Sequence, residues 1–400
     1  MFKILLLFIF ARPFIASLAF TYLNLIYSIG FMGVLIIVFF HNKVSFNRVE
    51  SLKCPLILFC FALLISVVFS VNRINSLNEL YKYLSGFLLF LIASSLSYKD
   101  AERVVKTIIF SGCVVCILAA YQYFIGFQNL SIYLAKVKTP SHLMQSYILN
   151  KRVFFPFITP NTLASYLIMI ISLVLPFKNN IWFICLFFII LIFTKSLGGF
   201  VSVLLVLGLY FYLSERVTKQ KIFLLLGLYF SIIIIFFIRA GSQEYAQPLF
   251  STLNRLQYWQ DTLTVIKSSP LVGAGLGNFS ITGARYAHNT YLQIWAEMGF
   301  LGIISWLWLV ILALVKGIRL FRNYMAIYKS QNSGINSEVS VKIPVYSDYM
   351  FPGLISAIVV FLIHNIIDFS FFLPEVSLIW WLILGLLFAE KKHVSDKDTL

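Results

Sequence analysis

The chain has 400 residues, of which 60% are hydrophobic and 12% charged, with a formal net charge of +16. Soluble domains are about a quarter charged, so that class is excluded. A β-barrel is excluded too, because the apolar runs are continuous where barrel strands alternate. The basic excess points to cytoplasmic loops and anionic membrane lipid, and no nucleic-acid motif accompanies it.

A bilayer-spanning helix needs about 17–25 apolar residues. Runs of this kind predict about twelve spans: 4–20, 22–40, 55–71, 78–97, 104–126, 158–177, 181–195, 197–213, 222–239, 288–315, 352–370 and 374–390. The opening "MFKILLLFIFARPFIASLA" imitates a signal peptide but reads as an uncleaved first span, since losing it leaves an odd number. Cys113 and Cys116 have C-x-x-C spacing inside an apolar run and read as buried helix cysteines. The predicted fold is an all-α polytopic membrane protein, one integral membrane domain over residues 1–400.

The basic short connections "HNKVSFNRVESLK", "YKDAERVVK", "SERVTKQK", "VKGIRLFRN" and "EKKH" fall on one side if 181–213 is two spans with a tight turn at "TKSLGG". Both termini are then cytoplasmic. Two long loops face outward, 127–157 and the larger 240–287 between spans nine and ten. A polar loop, 317–350, faces inward.

The outward loops carry Lys136, Lys138, Lys151, Arg152, Arg239, Arg255, Lys267 and Arg285, with few acids. Such a surface is either a solvated, lipid-facing one or a site for an anionic ligand. Arginine suits diphosphates through paired, charge-assisted hydrogen bonds.

Within the larger loop, residues 251–267 have helical spacing, with Leu253, Leu256, Trp259, Leu263 and Ile266 on one face. This predicts an amphipathic helix at the membrane surface. Glycines 273, 275 and 277 follow Pro270. A tight re-entrant turn is the favoured reading, and a backbone N–H nest for phosphate is the other. The chain then enters the tenth span. Asn289 or His288 stands where a helix lacks partners for its first N–H groups, so either a cap or a chemical role is open to His288. Glu297 lies deeper in the same helix and must face protein or water.

The stretch "PLVGAGLGNF…AHNTYLQIWAEMGFLGI" resembles the signature of the O-antigen ligase and polysaccharide polymerase superfamily. Its pattern is carried here by His288, Asn289, Leu292, Gly299 and Gly302, and upstream by Arg255, Trp259, Pro270, Gly273 and Gly275. The specific likeness covers residues 251–306, and the twelve-span plan extends it loosely over the chain.

The resemblance implies a membrane glycosyltransferase at the outer face of the bacterial inner membrane. Its donor is a glycan on undecaprenyl diphosphate, and its acceptor a hydroxyl of lipid A-core, another glycan or a protein. It implies His288 as general base and an inverting attack. Arg255, Arg285 and Lys195 become the diphosphate-binding cations, and Asn289, Asp368 and His364 supporting residues. No cofactor and no metal are expected. The D-x-D pair Asp396 and Asp398 lies in the cytoplasmic tail.

One position departs from the family. Where many members read Ser-Arg-Gly between spans seven and eight, this chain has Leu197, with Lys195 nearby as a point charge. That departure keeps a non-catalytic role in polysaccharide assembly open. A lipid-linked glycan flippase is the other alternative, although such transporters place polar groups at the midplane. Here the ionisable residues cluster at the outer interface, Arg12 being the exception.

Overall fold

Inside lipid a backbone must satisfy its own hydrogen bonds, and continuous apolar runs do so as helices. A computed structural model describes residues 1–41, 44, 46–136, 142–177, 180–213, 223, 226–227, 229–230, 233–234, 248–332 and 350–389. Among these residues every named element is helical, apart from one isolated bridge between Ile281 and Ala284. Most of the predicted ninth span, 222–239, lies outside the described residues. So do Lys138, Arg239, Asp396, Asp398 and residues 333–349 of the predicted inward loop.

The helices are α1 (Phe2–Ala11), α2 (Thr21–His41), α3 (Lys53–Val68), α4 (Arg73–Ser94) and α5 (Tyr98–Tyr121). Next come α6 (Phe127–Leu134), α7 (His142–Leu149), α8 (Pro160–Val174), α9 (Ile181–Thr194) and α10 (Leu197–Leu213). The chain finishes with α11 (Pro248–Ser268), α12 (Thr290–Asn332), α13 (Met350–His364) and α14 (Pro374–Leu386). Among the described residues, four stretches are long and apolar enough to cross a membrane: Thr21–His41, Val49–Val68, Tyr98–Leu134 and Thr290–Arg322. Helices α8, α9, α10, α13 and α14 are shorter apolar ones. The protein is a multi-pass, all-α membrane protein.

Several boundaries differ from those the apolar runs predict. The first helix stops at Ala11, not near residue 20, because Pro13 cannot continue it and Arg12 turns inward. Arg12 is 2% exposed and pairs with Glu375 at 3.2 Å, its guanidinium 4.9 Å from the Tyr27 ring. The expected end of the fifth span at 126 falls on a π-helical turn, Gln122–Gly126, and the helix resumes as α6. Likewise α12 runs to Asn332 through what reads as loop, because no proline follows its kink at Gly299.

In lipid, helices gain little from apolar burial against each other and associate through close packing at small residues. The last helix obeys this rule against α4. A Cβ on Gly86 would meet the Trp381 ring at 2.5 Å, and one on Gly385 the Phe90 carbonyl at 2.4 Å. Helix α13 packs against α8 and α10, and α12 against α3. Trp306, Phe361, Phe371, Trp380 and Trp381 form an aromatic block where α12, α13 and α14 meet.

Candidate functional site

The site begins with a break in α12. Gly299 has φ 69°, ψ −172°, a conformation closed to other residues, so the helix interrupts itself after one short segment. The interruption releases the carbonyls of Ala296 and Glu297. They accept the N–H groups of Ala274 and Gly275 at 2.9 and 3.0 Å, while the Phe300 N–H donates to the Pro270 carbonyl at 2.9 Å. The Ser66 hydroxyl on α3 donates to the same Glu297 carbonyl at 2.8 Å.

The glycine-rich loop thus clips onto the kinked helix, with Gly273 (φ 77°) against Glu297 and Gly299 against Leu271. These glycines serve a tight turn. Two of the N–H groups a phosphate nest would need, those of Ala274 and Gly275, are already donated to the helix. Gly299 admits this loop, rather than the neighbouring helix its spacing with Gly302 suggests.

Glu297 now has partners. Its carboxylate accepts the Gly277 N–H at 3.1 Å and the Gln293 amide at 3.0 Å. Gln293 in turn accepts the Ala287 N–H at 3.1 Å. One buried side chain therefore fixes both the glycine loop and the residue preceding His288.

Asn289 caps α12, its Oδ1 accepting the N–H groups of Tyr291 and Leu292 at 3.0 and 3.1 Å. His288 stands outside the cap with φ 51°, a left-handed conformation uncommon for a non-glycine residue. The turn aims its ring between two aromatic side chains. Tyr258 of α11 lies nearly parallel at 5.6 Å, and Phe369 stands edge-on at 4.8 Å. Nδ1 is sealed from solvent with no hydrogen-bond partner, so Nε2 is the accessible nitrogen. Burial pushes the imidazole pKa down to about 4, with the Asp368 charge raising it and the Arg255 charge lowering it further. His288 is therefore neutral near pH 7.

Asp368 stands in the turn after α13, and its charge acts on the ring. It is 1% exposed, accepts the Ser370 hydroxyl, and lies 3.6 Å from His364 Nε2, beyond hydrogen-bond range. Its Oδ1 is buried without a hydrogen-bond partner. Thr290 straps the two segments together, its hydroxyl donating to Asn365 Oδ1 at 2.9 Å.

The cations divide. Arg255 of α11 is half-buried, and its charge acts on His288, His364 and Arg152. Burial lowers its pKa, with Asp368 opposing. Arg285 is exposed, its guanidinium 5.7 Å from the Tyr286 ring. Lys195 ends α9 in a left-handed conformation (φ 51°), and its ammonium donates to the Asn150 carbonyl at 2.7 Å. Leu197 opens α10, and the adjoining Gly198 lies against His364.

The structure therefore gathers His288, Asp368, His364 and Arg255, with Asn289 beneath them, and leaves Arg285 and Lys195 with other partners. Sequence reading did not single out Arg152, Tyr258, Asn365 or Phe369 for the site. Arg152 stood among the outward-loop cations, but nothing separated it from Lys151 or Lys136. The others are ordinary helix or turn residues by local pattern.

Comparison with known proteins identifies one segment. Residues 181–307 match the family model of O-antigen ligase. No curated protein matches the chain. The matched segment contains the turn at Lys195, Arg255, the glycine loop and His288, while Arg152, His364 and Asp368 lie outside it. It supports the resemblance to the O-antigen ligase and polysaccharide polymerase superfamily.

Proposed function

From a membrane protein whose residues 181–307 match the O-antigen ligase family, we propose a membrane glycosyltransferase at the outer face of the bacterial inner membrane. It transfers an oligo- or polysaccharide from undecaprenyl diphosphate to a hydroxyl of lipid A-core or of a growing glycan. One observation carries this reading. A histidine is held neutral in an aromatic slot, where the charges of a buried carboxylate and of an arginine both act on it.

In the proposed reaction the acceptor hydroxyl oxygen attacks the anomeric carbon of the donor. The carbon–oxygen bond to the diphosphate breaks and the configuration inverts. His288 takes the hydroxyl proton. Asp368 stabilises the imidazolium that forms, just as its charge already raises the proton affinity of the ring. Arg255 faces the charge that grows on the departing diphosphate. Water exclusion by Tyr258 and Phe369 strengthens each of these interactions.

The test is glycan transfer in membranes that contain lipid-linked chains. His288→Ala should reduce transfer at least ~100-fold, in line with the loss of a general base, while the protein still inserts. Full activity in that variant would remove the histidine from the chemistry. In a deletion strain, loss of attachment with accumulated lipid-linked chains marks a ligase; single repeat units mark a polymerase.

A further inference from the structure

We propose that Arg152 is a second diphosphate-binding arginine, paired with Arg255, which fills from a different segment the role that Leu197 leaves open at the turn after α9. The inference rests on the functional reading above and assigns the donor's diphosphate to two particular side chains.

Arg152 is built into the end of α9. Its Nε donates to the Thr194 carbonyl at 3.2 Å, and its guanidinium carbon lies 5.4 Å from the centre of the Tyr147 ring. The backbone around it is equally fixed. The Arg152 N–H donates to the Tyr147 carbonyl at 2.8 Å and the Val153 N–H to the Phe193 carbonyl at 3.0 Å. Gln122 Oε1 then accepts the N–H groups of Phe154 and Phe155 at 2.9 and 2.8 Å.

This is an unusual position for a cation. Arg152 is 7% exposed, and no carboxylate among the described residues lies within ion-pair distance of it. Among the described residues, its Nε is the nitrogen engaged by hydrogen bonding. The charge of Arg255, which acts on it, has the same sign. Burying a charge without a partner is costly, and like charge on two arginines adds repulsion.

An anion received between them reverses both effects. A diphosphate supplies one phosphate to each planar fork, geometry that a lysine ammonium does not reproduce. The turn that carries Arg152 on Thr194 also sets Gly198 against His364, which neighbours Asp368. The arginine pair therefore lies beside the histidine slot. Lys195, the other cation of the turn, directs its ammonium to the Asn150 carbonyl and so helps shape the 150–152 segment.

The experiment measures binding of undecaprenyl diphosphate and undecaprenyl monophosphate to the full-length protein in nanodiscs. The wild type should prefer the diphosphate. Arg152→Ala should weaken diphosphate binding about 10- to 100-fold, the worth of charge-assisted hydrogen bonds, and change monophosphate binding little. Arg152→Lys should recover part of that loss, and Lys267→Ala, which removes an exposed cation of the outer loop, should bind like the wild type. If Arg152→Ala does not insert, Arg152→Gln replaces it, keeping an amide donor near Thr194 without the charge.

Retention of the wild-type diphosphate preference in the Arg152 variants overturns the inference. If it is retained there but lost in Arg255→Ala, the proposed function stands and only the role of Arg152 falls. If the wild type itself shows no preference for the diphosphate, the functional reading fails, and this inference with it.

Discussion

Thr290 is tied twice to Asn365, its N–H donating to the Asn365 carbonyl at 3.0 Å and its hydroxyl to Asn365 Oδ1 at 2.9 Å. The two residues are 75 apart in sequence. Their link holds the loop of His288 against the turn of Asp368. Asn365 Oδ1 also accepts the Phe371 N–H at 3.0 Å, and its amide donates to the Phe361 carbonyl at 2.8 Å. One asparagine thus organises the turn between α13 and α14.

Asn365→Ala should therefore lower stability and transfer together. It strands the buried Phe371 N–H, at a cost of about 1–3 kcal/mol, and leaves the Thr290 hydroxyl with only the Asp368 carbonyl, at 3.3 Å, among the acceptors described. Thermal unfolding of the purified protein, read beside transfer activity, checks this. An unchanged melting temperature would show that the strap is dispensable.

Gly299→Ala should destabilise the protein without touching any proposed catalytic group. The backbone conformation alone costs a residue with a Cβ about 1–3 kcal/mol. A Cβ there would also meet the Leu271 carbonyl oxygen at 2.1 Å. Gly302→Ala should be milder, because Gly302 is outside the positive-φ region and adds no backbone strain of its own, although its Cβ would meet Met298 Cβ at 2.3 Å. Melting temperatures of the two variants test the order.

The acid limb of the transfer reaction should lie low. A histidine ordinarily titrates near 6.5, but burial holds His288 at about 4. The neutral, proton-accepting form then persists as pH falls below 6. The kcat/KM profile should decline only as pH approaches 4, and a limb near 6.5 would contradict the buried slot. Stability follows the same sign. The unfolded chain binds the proton first, so the contribution of His288 is full above about 6.5 and is lost as pH falls towards 4.

Substitutions at Arg255 should separate charge from geometry. Arg255→Lys keeps the charge and loses the fork; Arg255→Ala loses both. Donor KM should rise in the order wild type, lysine, alanine, with alanine about 10- to 100-fold above the wild type. A lysine variant equal to the wild type would mean that a point charge suffices.

Much of this was legible in the residues themselves. Apolar run lengths set the helices, and the break between α9 and α10 stands at "TKSLGG". The histidine motif led to His288, and Asn289 has the side chain that a helix start requires. Local pattern misled where a polar residue found a distant partner. The run 4–20 is apolar enough to read as one span, yet it breaks at Pro13, and Arg12 turns inward to pair with Glu375, 363 residues away. The amphipathic stripe of 251–267 also divides. Ile266 is 4% exposed, whereas Leu253, Leu256 and Leu263 are 55%, 45% and 42% exposed.

The sequence by itself determined the class, the helical periodicity and the chemical types available, because these depend on hydrophobicity and on neighbours a few positions apart. Tertiary structure decided which charges share a space. Glu297 acquires partners only because Gly299 breaks its helix and admits the loop of Gly277. Arg152 differs from the cations around it only because the end of α9 offers a carbonyl there. Such pairings rest on distances between remote segments, which no local pattern of residues contains.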